Sequence, residues 1–478
     1  MTLVRGTLAS AVLAFVLAGC PGITTQPGDA SLEAVADAVR DAGTDVAIND
    51  APSIPTCEGT HCHYVRAGAT GSNDGSDWTN AFPALPSSLV RGDTYYIAAG
   101  TYPAYTFGDA AAAGARITIV RATVADHGND RGWDATYADG PAVFGGLVFT
   151  TDDYEFDGRT GGGPGSWESG FGFAVRGDWH NIDVMGPIGH IALRHVDVEN
   201  AGRYHSNNGN DISVYATGGA HDLTFSHCYF HDVNGTQFVT RATRDIVVEY
   251  SKLARNGPVA DMCVDGPCHR EAWSASTDSN VTVRFNVFED ISNTAFIYLG
   301  NSTGVASHWT IHGNVFWSTG RLTDVGVAGL VYVDDRGINV DAWQFHHNVV
   351  ANVTGTNVVL IAPGATASQL VSSNNIWFHN TVNAVGLSGG ATDYDLFIGN
   401  RRTEGCPTPC DLDTPAAMGE AHGATGTEDP FVASASGDFH LRVATPPGES
   451  LPAPFDRDPD GTARGADGAW DRGAYELR

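Results

Sequence analysis

Lysine is almost absent from this chain. Lys252 is the only one in 478 residues, and the 26 basic residues face 55 acidic ones, for a net charge of −29. A chain this acidic repels other polyanions, which argues against nucleic acid as a partner. An anionic polysaccharide would need a local basic patch or a bridging cation. Cysteine is also scarce, at eight. The uncharged run near the N-terminus, residues 6–17, is too short and wrongly placed for a membrane-spanning helix. Between residues 225 and 378 no stretch holds a helical apolar period over three turns, which counts against an α or α/β architecture there.

What the chain does have is a loose repeat. Asn286-Val287-Phe288, Asn314-Val315-Phe316, Asn348-Val349-Val350 and Asn375-Ile376-Trp377 each place two apolar residues after an Asn. Cys228-Tyr229-Phe230 and Ser251-Lys252-Leu253 fit the same frame. The interval is roughly 20 to 35 residues, the period of a solenoid whose core is constant and whose loops vary. A second set of short β-branched or aromatic runs lies upstream of each Asn, among them residues 211–215, 237–240, 295–299, 330–333 and 358–361. Bounded by Gly, Asn, Asp or Ser, they read as strands. Several strands per repeat and no helix predict an all-β chain, a single-stranded parallel β-helix of nine to eleven coils, with each strand about 4.8 Å from its counterpart. Stacked Asn side chains would then form a ladder, and each buried amide left out of it would cost roughly 1–3 kcal/mol.

Residues 1–19 read as a secretory signal that ends Leu17-Ala18-Gly19-Cys20. That ending resembles a bacterial lipoprotein lipobox. The resemblance implies acylation of Cys20 and anchoring to the cell envelope, expected at the outer membrane or cell surface. Residues 20–56 lack aromatics and read as a lipid anchor followed by a disordered tether. The folded domain is expected over 57–478, as a monomer. Six cysteines fall in close pairs: Cys57 and Cys62, Cys263 and Cys268, Cys406 and Cys410. Local disulfides suit an exported chain; zinc is the competing reading, though the spacings are not the usual two-residue knuckle. Cys228 is left as a buried thiol at a ladder position.

The segment from Tyr64-Val65-Arg66-Ala67-Gly68 through Gly92-Asp93-Thr94-Tyr95-Tyr96-Ile97 resembles the opening of right-handed parallel β-helix proteins of the pectin-lyase-like superfamily. Gly437-Asp438-Phe439-His440-Leu441 and Asp471-Arg472-Gly473-Ala474-Tyr475-Glu476 resemble their closing segment. The resemblance implies a right-handed solenoid with a short N-terminal capping helix over residues 81–89. It leaves activity open, because that fold carries polysaccharide lyases, hydrolases, epimerases and proteins of no known activity.

For a site, the strand pattern breaks at His269-Arg270-Glu271-Ala272-Trp273. Alternation would put His269 and Glu271 on one face as an acid/base pair, with Trp273 as a stacking surface for sugars. Arg241 from a neighbouring coil would neutralise a substrate carboxylate; Arg244, Tyr298 and Asp334 would add substrate contacts. Lys252 falls in a different strand from His269 and is a weaker candidate for a lyase base. Asp456-x-Asp458-x-Asp460-Gly461, with Asp467, resembles a calcium loop without its flanking helices. Calcium is therefore a candidate cofactor, and no other metal is expected. The function these features predict is a surface-anchored protein that binds and cleaves a polysaccharide, as a lyase or glycoside hydrolase. A non-catalytic glycan-binding or structural lipoprotein is the alternative.

Overall fold

The computed structural model describes residues 61–112, 114–200, 211–256, 270–291, 295–300, 302–320, 327–361, 365–386, 390–402, 404–406 and 410–478. Cys20, Cys57, Cys263, Cys268 and His269 lie outside the described residues.

Three parallel sheets build the described part of the chain. Sheet A has 13 strands, beginning at Cys62–Val65; sheet B has 12, beginning at Gly100–Tyr102; sheet C has nine, from Tyr105–Phe107 to Gly355–Ile361. Strands adjacent within a sheet stand about one full coil apart in the chain, so each coil gives one strand to C, then A, then B. Nine coils feed all three sheets, at the lower end of the range the repeat predicts. This is the parallel β-helix expected from the sequence.

The core is the channel between the sheets. It is lined by stacked apolar residues such as Phe107, Phe149, Phe156, Phe173, Phe238, Trp273, Trp309 and Trp377. Rings repeat at coil spacing, as in Phe107 on Phe149 at 4.5 Å and Trp309 on Trp343 at 4.7 Å. Such pairs add to the burial term because offset faces attract.

The chain turns from sheet A to sheet B through one left-handed residue per coil. Phe285, His347, Asn374 and Tyr394 hold φ between 53° and 61° there. That conformation is unfavourable for side chains with a Cβ, and the next residue offsets the cost. The Asn286 backbone N–H and Nδ2 both donate to Asn314 Oδ1, at 2.9 and 3.0 Å. Asn314 does the same to Asn348, Asn348 to Asn375, and Asn375 to Asp395. Ser251 N–H donates into the ladder at Asn286 Oδ1, and Cys228 N–H donates to Ser251 Oγ. The register pairs Tyr229, Lys252, Val287, Val315, Val349 and Ile376 in sequence, as the repeat alignment requires.

The capping helix expected over residues 81–89 is not formed. The segment is bends and a single bridge, Val65 to Phe82. Pro83 and Pro86 each remove a donor and disfavour helix in the residue before them. The amides there bond elsewhere, Leu89 N–H to Asp109 Oδ1 and Val90 N–H to Tyr95 Oη.

Cys406 and Cys410 form a disulfide with Cα atoms 6.1 Å apart. Cys62 is also disulfide-bonded, and Cys228 is a free, buried thiol. In the closing segment, Asp458 Oδ1 accepts the Asp460 and Thr462 amides, while Asp460 pairs with His440 and Arg478. Among the described residues no group of three or more acids, histidines or cysteines is arranged to hold a metal ion.

Candidate functional site

The outward face of sheet C is a column of residues in strict register. Asp183 pairs with Tyr215, Tyr215 with Val239, Val239 with Ser274, Ser274 with Tyr298, and Tyr298 with Tyr332. Successive positions are one coil apart, about 4.8 Å. The inward residues between them, Val184, Ala216, Phe238, Trp273, Ile297 and Val331, belong to the core.

Arg241 ends its strand, Thr236–Arg241, and folds its guanidinium back over the next coil. Nη1 donates to the Thr240 and Ser274 carbonyls, both at 2.7 Å, and Nη2 to Ser274 Oγ at 3.1 Å. These partners are neutral, and Arg241 forms no ion pair among the described residues. Burial pulls its pKa below the usual guanidinium value, and Asp278 and Glu271 oppose that from a distance.

One coil further, Tyr298 Oη donates to Asp334 Oδ2 at 2.7 Å. Asp334 is fixed by the Arg336 amide at 3.0 Å and by Arg336 Nε at 3.3 Å. Burial, and then the bond to Asp334, push the Tyr298 phenol above its ordinary value, so it holds its proton at neutral pH. Tyr332 stacks on Tyr298 at 5.7 Å. Gly300 makes room for this pair: a Cβ there would stand 2.3 Å from Tyr298 Oη and 2.4 Å from Asp334 Oδ2.

The structure therefore unites Arg241, Tyr298 and Asp334 as expected, and separates three other residues from them. Trp273 is a core residue with no exposed surface; its ring stacks on Phe238 at 5.1 Å, and Nε1 donates to Thr240 Oγ1 at 2.7 Å. It offers no face to a sugar, because the register aligns it with the inward Phe238 and Ile297. Glu271 is fully buried and accepts from Thr236 Oγ1 at 2.8 Å. The strand begins only at Trp273, so alternation does not extend back to Glu271 or beyond it. Arg244 opens a strand of sheet A beyond the turn at Ala242 and pairs with its neighbour Asp245, so it belongs to a different side.

At the opposite end of the same face, sequence reasoning missed a dyad. His180 Nδ1 lies 2.7 Å from Asp183 Oδ1, and the imidazole tilts against Tyr215 at 5.0 Å. The available signal was only the local spacing, a His three residues before an Asp; strand alternation by itself would put the two on opposite faces.

Sheet B carries the second polar cluster. Lys252 Nζ is held by Glu168 and by Glu289 Oε2, the latter at 2.6 Å. Arg255 binds Asp232 and the Tyr229 hydroxyl. His231 lies between Asp232 at 2.6 Å and Asp197 at 2.7 Å, and Arg176 closes the row on Asp197 and Glu199. Burial works to raise Glu168 and Asp232, yet Lys252 and Arg255 hold the first, and His231 and Arg255 the second, below the usual carboxylate range. Burial alone would lower His231, but its two acids raise it.

No family model matches the sequence, and no curated protein is significantly similar to it. Among solved structures the chain is similar to the pectate lyase Pel9A, with 15% identity, a TM-score of 0.46, and coverage of 87% of this chain and 96% of that one. It is also similar to an endo-xylogalacturonan hydrolase from Aspergillus tubingensis, with 12% identity, a TM-score of 0.38, and coverage of 76% and 100%. A rhamnogalacturonan lyase gives 11% identity, a TM-score of 0.37, and coverage of 77% and 82%. The fold assignment rests on the strand pairing described above.

Proposed function

We propose that this protein binds an acidic polysaccharide along the outward face of sheet C and cleaves it by β-elimination. The observation that carries the reading is Arg241: a half-buried guanidinium, in a chain of net charge −29, with no acid paired to it among the described residues and a protonated Tyr298 one coil beyond the Ser274 it bonds. A planar fork with spare donors suits a carboxylate. Neutralising a uronate carboxylate acidifies the adjacent C–H. Tyr298 takes that hydrogen while passing its own to Asp334. The electron pair forms the new C=C bond as the glycosidic C–O bond breaks. The same phenol then returns a proton to the leaving oxygen, and Asp334 gives its proton back. Hydrolysis fits less well, because it asks for two carboxyl groups flanking the bond, and Glu271 is bonded to Thr236, away from Asp334, which bonds Tyr298.

Incubation with a panel of uronate and neutral polysaccharides tests this. Unsaturated, ultraviolet-absorbing product from an acidic polymer is the expected result. Reducing ends without unsaturation would replace elimination by hydrolysis, and binding with neither would establish a non-catalytic glycan-binding protein. We further propose that Cys20 carries the lipid that holds the protein to the cell envelope. Replacing Cys20 with Ala is expected to release soluble protein; persistent membrane partitioning would place the anchor elsewhere.

A further inference from the structure

Trp179 is 45% exposed, and it is the one aromatic among the large apolar residues strongly exposed in the described structure. It stands directly before the strand His180–Met185 of sheet C, and Asn200 Nδ2 holds its carbonyl at 3.3 Å. Its ring centroid is 6.4 Å from that of His180. His180 is itself oriented. The Asp183 carboxylate accepts from Nδ1, which leaves Nε2 as the acceptor of the neutral ring. Tyr215 flanks the imidazole on the next coil. A partly exposed indole, a fixed imidazole, a carboxylate and a phenol together offer an apolar surface with hydrogen-bonding groups at its edge. That combination fits a pyranose ring, which has C–H faces and an equatorial rim of hydroxyls.

The position of this group matters as much as its chemistry. Asp183 and Tyr215 stand in the same register column as Ser274 and Tyr298. Asp183 is three coils from Ser274, over which Arg241 lies, roughly 14 Å at the usual strand spacing. Both groups lie on the outward side of sheet C.

We propose that Trp179, His180, Asp183 and Tyr215 form a distal sugar-binding subsite, which holds the same polysaccharide chain that Arg241 engages. This rests on the reading of sheet C given above. The substrate is then an extended polymer lying along the solenoid axis, and short oligomers engage only one end of the face.

The test compares wild-type protein with Trp179→Ala and His180→Ala, using oligogalacturonides and oligoalginates of graded length in a binding titration. Wild-type affinity is expected to rise with chain length until an oligomer spans both groups. Trp179→Ala should weaken binding of the long oligomers about tenfold, the size of one lost stacking contact, with the loss growing with length. His180→Ala should act in the same direction. Length-independent loss, or no loss, in both variants would overturn the distal subsite. If the wild-type protein binds no acidic oligomer or polymer of any length, the acidic-polysaccharide reading fails first, and that outcome is distinct from a wild-type protein that binds and variants that do not differ.

Discussion

The outward faces of sheets B and C are built from the same coils and differ in how they treat charge. On sheet B every cation meets an acid: Lys252 has Glu168 and Glu289, Arg255 has Asp232, Arg176 has Asp197 and Glu199. Further along the same sheet the closing segment covers the face, with Phe431, Phe439 and Tyr475 packed on Val315, Val349 and Ile376. On sheet C the one cation at the centre of the column, Arg241, bonds to neutral groups only. Paired charges fasten a loop to a wall, because the loop's Glu168 comes from a segment 84 residues upstream of Lys252. A half-desolvated charge with no acid paired to it among the described residues has interaction free energy left for a ligand. Counting ionisable residues would have chosen sheet B as the site; asking which of them is unsatisfied chooses sheet C.

The contrast can be broken most directly at Tyr298. Tyr298→Phe removes one hydroxyl and is expected to lower turnover about 10³-fold, within the usual range of a proton-transfer group, while circular dichroism and melting stay near wild type. Unchanged turnover would remove Tyr298 from the chemistry.

Lys252→Met probes the other face. It leaves Glu168 and Glu289 facing one another without a cation, and breaking a buried pair in this way costs about 3 kcal/mol or more. A clear fall in melting temperature is expected, with turnover retained well below the transition. Loss of turnover in protein that is still folded would move the site to sheet B.

Gly300→Ala is a finer test, because it drives a methyl group between Tyr298 Oη and Asp334. Turnover should fall roughly tenfold or more through misplacement of the phenol, with binding of long oligomers largely kept. Equal loss of binding and turnover would mean that the alanine disturbs the face as a whole.

The smallest effect is in pH. Asp197, Asp232 and Glu168 titrate below their ordinary values in the fold. Their stabilisation is complete above the unfolded carboxylate range, near pH 4, and is lost as pH falls through the lower folded values. His231 has the opposite sign. Raised in the fold, it contributes fully below about pH 6.5 and loses that contribution as pH rises through its folded value. Melting temperature followed against pH should therefore decline at both ends. Lys252→Met combined with Asp232→Asn should flatten the acid limb, and an unchanged limb would place acid sensitivity outside sheet B.

The solenoid was legible because its signal is repeated: Asn286, Asn314, Asn348 and Asn375 each report one coil corner, and Cys228 and Ser251 hold the same frame. The capping helix was misread because Pro83 and Pro86 outweigh a pattern taken from resemblance. Arg241, Tyr298 and Asp334 lie on one side because register between coils follows from the repeat. Trp273 was given the wrong face, because a strand's phase depends on where it starts, and this one starts at Trp273 itself. Glu168 with Lys252 carries no repeat, and long-range pairing of that kind leaves no local pattern to read; His180 with Asp183 is local but lies outside the repeated segment.

The asparagine ladder also has a direction. In each rung the backbone N–H and Nδ2 reach the side chain of the C-terminal coil, while Nδ2 also donates back to a carbonyl of the preceding coil: Asn286 to Val248, Asn314 to Val283, Asn348 to Ile311, Asn375 to Phe345. The last rung is Asp395, which takes the Asn375 amides on Oδ1 and Trp377 Nε1 on Oδ2. The shorter row that begins at Asn380 runs the same way and ends at Asp413, which accepts from Asn400. Each row is thus a ladder of side-chain acceptors closed by an aspartate, and the Asp395 backbone N–H goes on to Glu420 Oε2. The change from Asn to Asp marks in the sequence where the ladder ends, while one more strand, Ala424–Gly426, still pairs with Leu396–Ile398 in sheet B.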